Sequence, residues 1–282
     1  MDILNRVFVG DALTVIKIFP ESFINCVVTS PPYWKMRDYE IEFQIGQENS
    51  YEEYIDNLIS VFREVKRVLR DDGTLWVNIG DKYQDKTLLM IPERFAIRMI
   101  DDGWKLRNVI IWKKKNPVPS SAKDRFTVDY EYVYFFTKSG RYYFKQIREE
   151  LSESTLKRVN YGHSRKNKIW YNKYAVSADS FEKYREKVKN GELIGRNKRC
   201  VWEISHSQNS SLHFAPYPEE LVEIILTAGC PENGVVLDPF VGSGTTLFVA
   251  KKMGINYIGI DINPDYVKIA EKRVASIPSR VL

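Results

Sequence analysis

The sequence predicts an α/β fold: a doubly wound, mostly parallel sheet with an inserted lobe. Three observations carry this expectation. Short apolar, β-branched runs alternate with amphipathic stretches along most of the chain. Two of those runs end in loops that a central strand cannot continue, Ser30-Pro31-Pro32-Tyr33 and Asp238-Pro239-Phe240-Val241-Gly242-Ser243-Gly244-Thr245-Thr246. The alternation lapses over one basic, tyrosine-rich segment and then resumes. At 282 residues, 44% hydrophobic and 28% charged, the chain has room for one large core and an inserted lobe.

Val7-Phe8-Val9 reads as a first strand ending at Gly10-Asp11, followed by a short helical stretch. Asn25-Cys26-Val27-Val28-Thr29 has strand length and composition, and delivers Ser30-Pro31-Pro32-Tyr33 to a loop at a strand's carboxyl end, where open α/β sheets place ligands. Tyr54, Ile55, Leu58, Val61, Phe62, Val65 and Leu69 recur at helical spacing, with Ser50 and Glu53 placed for a capping box and Asp72-Gly73 as the expected stop. Thr74–Ile79 is the next expected strand, closed by Gly80-Asp81. A helix is expected over Pro92–Ile100, then strands over Asn108–Trp112 and Tyr132–Phe136.

The texture changes near Gly140. Between Ser154 and Ala178 there is no acidic residue, while Lys157, Arg158, Arg165, Lys166, Lys168 and Lys173 are interleaved with Tyr161, Trp170, Tyr171 and Tyr174. The expected division is therefore 1–140 and 212–282 for the sheet domain, and 141–211 for the lobe. Alternation resumes with a helix near Pro218–Thr227, strand Val235–Leu237, the glycine loop, a helix through Leu247, Phe248 and Met253, and strand Tyr257–Asp261. Asn263-Pro264 starts the last helix, with Asn as N-cap and Pro at the first helical position.

The net charge of +5 suits a polyanionic partner. Cys26, Cys200 and Cys230 form no CxxC pair, and His163, His206 and His213 are scattered, so neither a disulfide framework nor a metal site is expected. No apolar stretch reaches the roughly 18 residues of a membrane span, and no signal-peptide pattern opens the chain. A cytoplasmic location is expected.

The glycine loop lacks the Gly-Lys-Ser/Thr of a phosphate-binding P-loop, and Leu247 stands where a dinucleotide pattern would have its third glycine. Asp261 ends the next strand, placed to accept from ribose hydroxyls, which points to an adenosine-containing ligand; an ordinary glycine-rich turn is the alternative. In Ser30-Pro31-Pro32-Tyr33, two prolines remove N–H donors and leave carbonyls. The Ser30 hydroxyl and the Pro31 carbonyl can each accept a hydrogen from one amino group, with Tyr33 stacked on the ring that bears it. A proline-rich turn is the alternative.

With these residues in view, the chain resembles the DNA amino-methyltransferases that use S-adenosyl-L-methionine, in the permuted β arrangement where the catalytic motif precedes the cofactor motif. Ser30, where adenine-specific relatives usually carry Asp, is similar to the cytosine-N4 form. Gly10-Asp11-Ala12-Leu13 resembles the family's GDxL element, which implies Asp11 near the cofactor's adenine. Asp238, Pro239, Phe240, Gly242, Ser243, Gly244 and Thr245 resemble its cofactor loop. Gly259-Ile260-Asp261-Ile262-Asn263 resembles the acid-ended strand, although Glu is common at the place of Asp261. His213, Phe214 and Pro216, in His213-Phe214-Ala215-Pro216-Tyr217-Pro218, resemble an element packed around the methionine end. Ile111 through Pro117, with Arg125 and Glu131, resembles the lining of the target-base pocket.

The resemblance spans the chain except about 141–211. It implies a Rossmann-like methyltransferase fold with permuted motif order, S-adenosyl-L-methionine as cofactor, and Ser30, Pro31, Pro32 and Tyr33 as the catalytic motif. The implied substrate is double-stranded DNA whose target base is extruded onto Tyr33, with Trp34 as a second stacking candidate or, equally, a core residue. Cytosine N4 is the implied target; adenine N6 and a catalytically silent nucleic-acid binder are the alternatives. The basic lobe is expected to recognise the target, with Lys157, Arg158, Arg165, Lys166, Lys168 and Lys173 on phosphates. A cognate restriction endonuclease is a candidate partner, and a monomer or a homodimer is expected. For this chemistry the two loops must converge at one edge of the sheet.

Overall fold

The structure is a computed structural model. It describes residues 3–36, 38, 41, 42, 44–117, 119–151, 153, 154, 156, 157, 183, 186–188, 190, 191, 195–205 and 217–278. In chain order the described elements begin with β1 (Arg6–Val9), α1 (Ala12–Ile16), β2 (Ile24–Thr29), α2 (Tyr51–Val68) and β3 (Leu69–Ile79). A short hairpin, β4 (Tyr83–Gln84) and β5 (Thr87–Leu88), leads to α3 (Ile91–Asp101), β6 (Lys105–Lys114) and β7 (Tyr130–Thr137). Then come β8 (Arg148–Glu149), β9 (Arg196–Asn197), β10 (Val201–Ile204), α4 (Glu219–Gly229), β11 (Val235–Asp238), α5 (Thr245–Met253), β12 (Asn256–Asp261) and α6 (Pro264–Ala275).

Eight strands form one sheet in the order β1-β12-β11-β2-β3-β7-β6-β10. Every neighbouring pair is parallel except those made by β7, which runs against both β3 and β6. This is the mixed, mostly parallel α/β sheet that the alternation predicts. The carboxyl ends of seven strands and the start of β7 therefore share one edge. From β2 the chain crosses to β3 on one side; from β11 it crosses to β12 on the other. The gap between β2 and β11 is thus a topological switch point, where such sheets bind ligands.

The central strands are apolar on both faces because helices cover both. On one face, Leu75, Val77 and Ile79 of β3 join a core with Tyr54, Leu58, Phe62 and Val65 of α2 and Phe95 and Met99 of α3. Each such buried side chain contributes about 1.5–3 kcal/mol. On the other face, Thr74 Oγ1 donates to the Gly229 carbonyl at the end of α4 (2.8 Å), and a Cβ on Gly229 would lie 2.5 Å from the Trp76 indole nitrogen. Only glycine lets α4 approach that closely.

Two boundaries differ from the sequence expectation. Asp72-Gly73 does not stop α2: the helix ends at Val68, and Leu69 is already extended. The amides of Ser22 and Phe23 bond the carbonyls of Arg67 and Val68, which satisfies the helix end from the chain entering β2. Asp72 and Gly73 lie instead in a register irregularity of β3, which pairs Leu69 with Ile24 and then Thr74 with Cys26.

The second concerns the lobe. The chain divides into two compact units, Met1–Lys145 with Cys200–Leu282, and Gln146–Arg199. The expected span of 141–211 is wider, because β10 carries no signal separable from its surroundings, yet it pairs in parallel with β6 from Val201↔Ile111 to Ile204↔Lys114. Within the smaller unit, β8 pairs antiparallel with β9, and Glu149 accepts from Arg196 (2.8 Å) and Arg199 (2.7 Å). Lys157 is helical and exposed. Arg158, Arg165, Lys166, Lys168 and Lys173 lie outside the described residues. Among the described residues no helix is long and apolar enough to cross a membrane.

Candidate functional site

Asp238, at the end of β11, is fully buried and takes four donors. Its Oδ1 accepts from Thr29 Oγ1 (2.7 Å) and the Phe240 amide (3.1 Å), and its Oδ2 from Thr246 Oγ1 (2.6 Å) and Tyr217 Oη (2.9 Å). The Tyr217 and Thr246 hydroxyls also touch. Burial pushes the carboxyl upward against the pull of these donors. With its oxygens turned inward, Asp238 ties the end of β2 to the glycine loop. The two loops therefore sit side by side at the switch point, as the chemistry read from the sequence requires.

The glycine loop is fixed from the neighbouring strand. Asp261 Oδ2 accepts from the Gly242 amide (2.8 Å) and Oδ1 from the Asn263 amide (2.9 Å), while the Val241 amide bonds the Ile260 carbonyl. Burial raises the Asp261 carboxyl to about 6, with the two amides pulling against it. Gly242 has φ 49° and open space where a Cβ would stand. Gly244 has φ 81°, and its Cβ would meet that of Ala270 at 2.8 Å. The first glycine leaves room for a ligand beside the backbone; the second lets α6 pack close.

Of the other expected cofactor residues, Asp11 caps α1, accepting from the Thr14 amide and hydroxyl at 2.8 Å each. Asn263 caps α6 through the Asp265 amide (2.9 Å). Thr245 Oγ1 accepts from Arg273 (2.9 Å), whose Nη1 also lies 3.4 Å from the Ser243 carbonyl, so both residues are engaged behind the loop. Pro239 is buried and Phe240 half-buried. His213, Phe214 and Pro216 lie outside the described residues.

After β2, Ser30-Pro31-Pro32-Tyr33 is held at both ends. The Pro32 carbonyl accepts from Tyr54 Oη (2.9 Å), whereas no described group donates to the Pro31 carbonyl. Ser30 Oγ donates to Tyr33 Oη (3.4 Å), which donates to Glu131 Oε2 (2.7 Å). Asn78 Nδ2 bonds the same carboxylate oxygen (3.1 Å) and the Tyr132 carbonyl (3.0 Å), and Lys114 pairs with Glu131 Oε1 (2.7 Å). The Tyr33 ring lies on Gly80, where a Cβ would be 2.6 Å from ring carbon Cε2. Trp34 takes the core role that the sequence left as open as stacking. It is buried, its indole donates to the Glu48 carbonyl (3.0 Å), and it packs edge-on to Tyr51, so it belongs to the core.

Sequence reasoning did not assign roles to Tyr54, Asn78, Tyr217 or Thr246. Tyr217 stands inside the His213–Pro218 element, and that was its only signal. Thr246 closes the glycine-loop motif, and Tyr54 reads as part of the apolar stripe of α2. Asn78 is brought in by strand pairing: Trp112↔Glu131 and Ile79↔Tyr132 place the ends of β6, β7 and β3 beside Tyr33.

Residues 24–272 match the N6/N4 family model described as DNA methylase. The type II methyltransferase M.Cfr9I of Citrobacter freundii is 35% identical over 98% of this chain and 89% of its own length. M.SmaI of Serratia marcescens is 32% identical over 95% and 90%. Among solved structures, the cytosine-N4-specific PvuII DNA methyltransferase superposes with a TM-score of 0.69 at 21% identity, covering 98% of this chain and 87% of that one. A DNA modification methylase candidate of Thermus thermophilus, complexed with S-adenosyl-L-methionine, gives 0.62 at 26% identity, covering 96% and 95%.

Proposed function

The chain belongs to the N6/N4 DNA methylase family, and on that premise we propose that it methylates the exocyclic N4 amino group of cytosine at a specific site in duplex DNA. In this reading it is a β-type enzyme of permuted motif order, the cytoplasmic modification half of a restriction–modification pair. The observation that carries the reading is the join between β2 and β11. The Thr29–Asp238 bond sets Ser30-Pro31-Pro32-Tyr33 beside the glycine loop at the switch point.

S-Adenosyl-L-methionine, when bound, supplies an electrophilic methyl group on sulfur. The residues present suit it: open space at Gly242 beside the loop, and Asp261 with lone pairs left for ribose hydroxyls. Ser30 Oγ and the Pro31 carbonyl accept the two hydrogens of the amino group, which turns its nitrogen lone pair out of the ring's conjugation. Tyr54 fixes the second proline's carbonyl inward, so the first is the one presented. Extruding the base costs a few kcal/mol, and stacking on Tyr33 returns about 1–3 kcal/mol. Ser30 favours cytosine over adenine through the resemblance alone, since adenine-specific relatives usually carry Asp at this place. The smaller unit is the target-recognition region in this proposal.

The test is to incubate the protein with labelled S-adenosyl-L-methionine and mixed-sequence DNA, digest to nucleosides and identify the labelled one. N4-methylcytosine is expected. N6-methyladenine would move the activity to the other base of the family, and an unlabelled digest would overturn the assignment.

A further inference from the structure

We propose that Glu131 is the final proton acceptor of the reaction, reached from the target amino group through the hydroxyls of Ser30 and Tyr33. The inference rests on the methyl-transfer reading above. A serine hydroxyl is a poor base, so Ser30 alone leaves the displaced proton without a destination. The hydrogen-bond directions supply one. Ser30 Oγ gives its proton to Tyr33 Oη at 3.4 Å; Tyr33 Oη has two acceptors in reach, Asn78 Oδ1 at 3.3 Å and Glu131 Oε2 at 2.7 Å, and gives its own proton to the nearer, charged one. Each hydroxyl has a single proton, so a Ser30 that donates to Tyr33 keeps its lone pairs for accepting.

The atoms balance. As the nitrogen–methyl bond forms and the sulfur–methyl bond breaks, the nitrogen gains a positive charge and loses one hydrogen to Ser30 Oγ. Ser30 passes its original proton to Tyr33 Oη, and Tyr33 passes its own to Glu131 Oε2. Both hydroxyls end neutral and Glu131 ends as a carboxylic acid, which later yields its proton to water. Lys114 on Oε1 (2.7 Å) and Asn78 on Oε2 (3.1 Å) hold the carboxylate in line. Glu131 and Lys114 are only 16% and 18% exposed. Burial, then the facing charge of Glu131, push the Tyr33 phenol well above its ordinary value, so it hands a proton on rather than keeping a charge. Chained hydroxyls also polarise one another, which sharpens Ser30 as an acceptor before any proton moves.

A network that merely positions Tyr33 would hold the same residues together, and the variants separate the two roles. Glu131→Gln keeps an oxygen for Tyr33 but does not take up a proton. Tyr33→Phe keeps the ring on Gly80 and cuts the relay. Single-turnover methyl transfer is measured at saturating DNA and S-adenosyl-L-methionine, together with calorimetric Kd values for each ligand. Each variant is expected to slow the chemical step by about 10²–10³ while both Kd values stay within about twofold of the parent. The double variant should be no slower than the slower single one, because a chain is broken only once. Glu131→Asp, which restores a carboxylate, should recover part of the rate.

Parental rates in Glu131→Gln would overturn the relay, as would losses confined to DNA affinity. If Glu131→Gln does not fold, Tyr33→Phe decides alone: a slowed step with intact binding supports the relay, and an unchanged step refutes it. A parent protein that modifies no base would instead remove the methyl-transfer reading itself.

Discussion

Gly242 and Gly244 stand two positions apart and are glycine for different reasons, which gives opposite expectations for the same substitution. At Gly244 an alanine methyl would press on Ala270 at 2.8 Å in a backbone with φ 81°. Gly244→Ala should therefore destabilise the fold by about 2–3 kcal/mol or more, lowering the thermal midpoint of the unliganded protein. At Gly242 the methyl meets nothing. Gly242→Ala should cost only about 1–2 kcal/mol of backbone strain, yet weaken S-adenosyl-L-methionine binding, as read by calorimetry. Equal thermal midpoints for the two variants would contradict this division.

Asp261 carries the next expectation. Its carboxyl is raised to about 6 by burial, so folding stability from this group is full below the unfolded value near 3.9 and is lost as pH rises through 6. Ligand binding has the opposite sign, because ribose hydroxyls donate to the ionised form. S-Adenosyl-L-methionine should bind roughly tenfold more weakly at about pH 5 than at about pH 7.5. Asp261→Asn should flatten that profile and also loosen the glycine loop, since an amide nitrogen would then face a backbone N–H. A pH-independent Kd in the parent protein would remove the ribose role.

Among the elements, legibility followed the range of the causing interaction. Helix α2 was readable because its stripe and cap are local: Ser50 Oγ accepts from the Glu53 amide (3.1 Å), and Ser50→Ala should cost about 1 kcal/mol in chemical denaturation. The reciprocal arm of the capping box shifts by one residue, since the Glu53 carboxylate bonds the Asn49 amide (3.3 Å). The end of α2 was not readable, because its last carbonyls are satisfied by Ser22 and Phe23, more than 40 positions earlier. The same holds at the site. Ser30 and Gly242 announce themselves through the composition of their own loops. Asn78 reaches Tyr33 only because β7 runs against β3 and β6, a pairing that no local pattern encodes, whereas Lys114 and Glu131 were placed near the target base by resemblance without their link to Tyr33 being visible. Asp238, expected from its loop to bind the cofactor, takes four protein donors that clamp the strands together, and those partners come from elements that no local pattern links.

For the whole molecule, the question is whether +5 of net charge attracts DNA as a diffuse field or through contacts. A diffuse field depends on the total, wherever the charges lie. Contacts with phosphates release counterions one by one, so the log of affinity falls against log salt with a slope of about −0.9 per phosphate neutralised. The two are separable here. Lys251 and Lys252 on α5 are engaged with the Val274 carbonyl and with Glu223, so replacing both with Gln changes the total without removing a phosphate contact. Replacing Lys157, Arg158, Arg165, Lys166, Lys168 and Lys173 with Gln removes six positive charges and takes the formal charge from +5 to −1. If the smaller unit grips the backbone, the sixfold variant should flatten the salt slope by about 0.9 for each phosphate no longer neutralised, and the Lys251/Lys252 variant should leave it unchanged. The calorimetric Kd for S-adenosyl-L-methionine should be the same in the sixfold variant as in the parent, since the glycine loop belongs to the other unit. Slopes that instead track total charge would assign DNA attraction to the field of the whole protein and leave the basic segment a structural role.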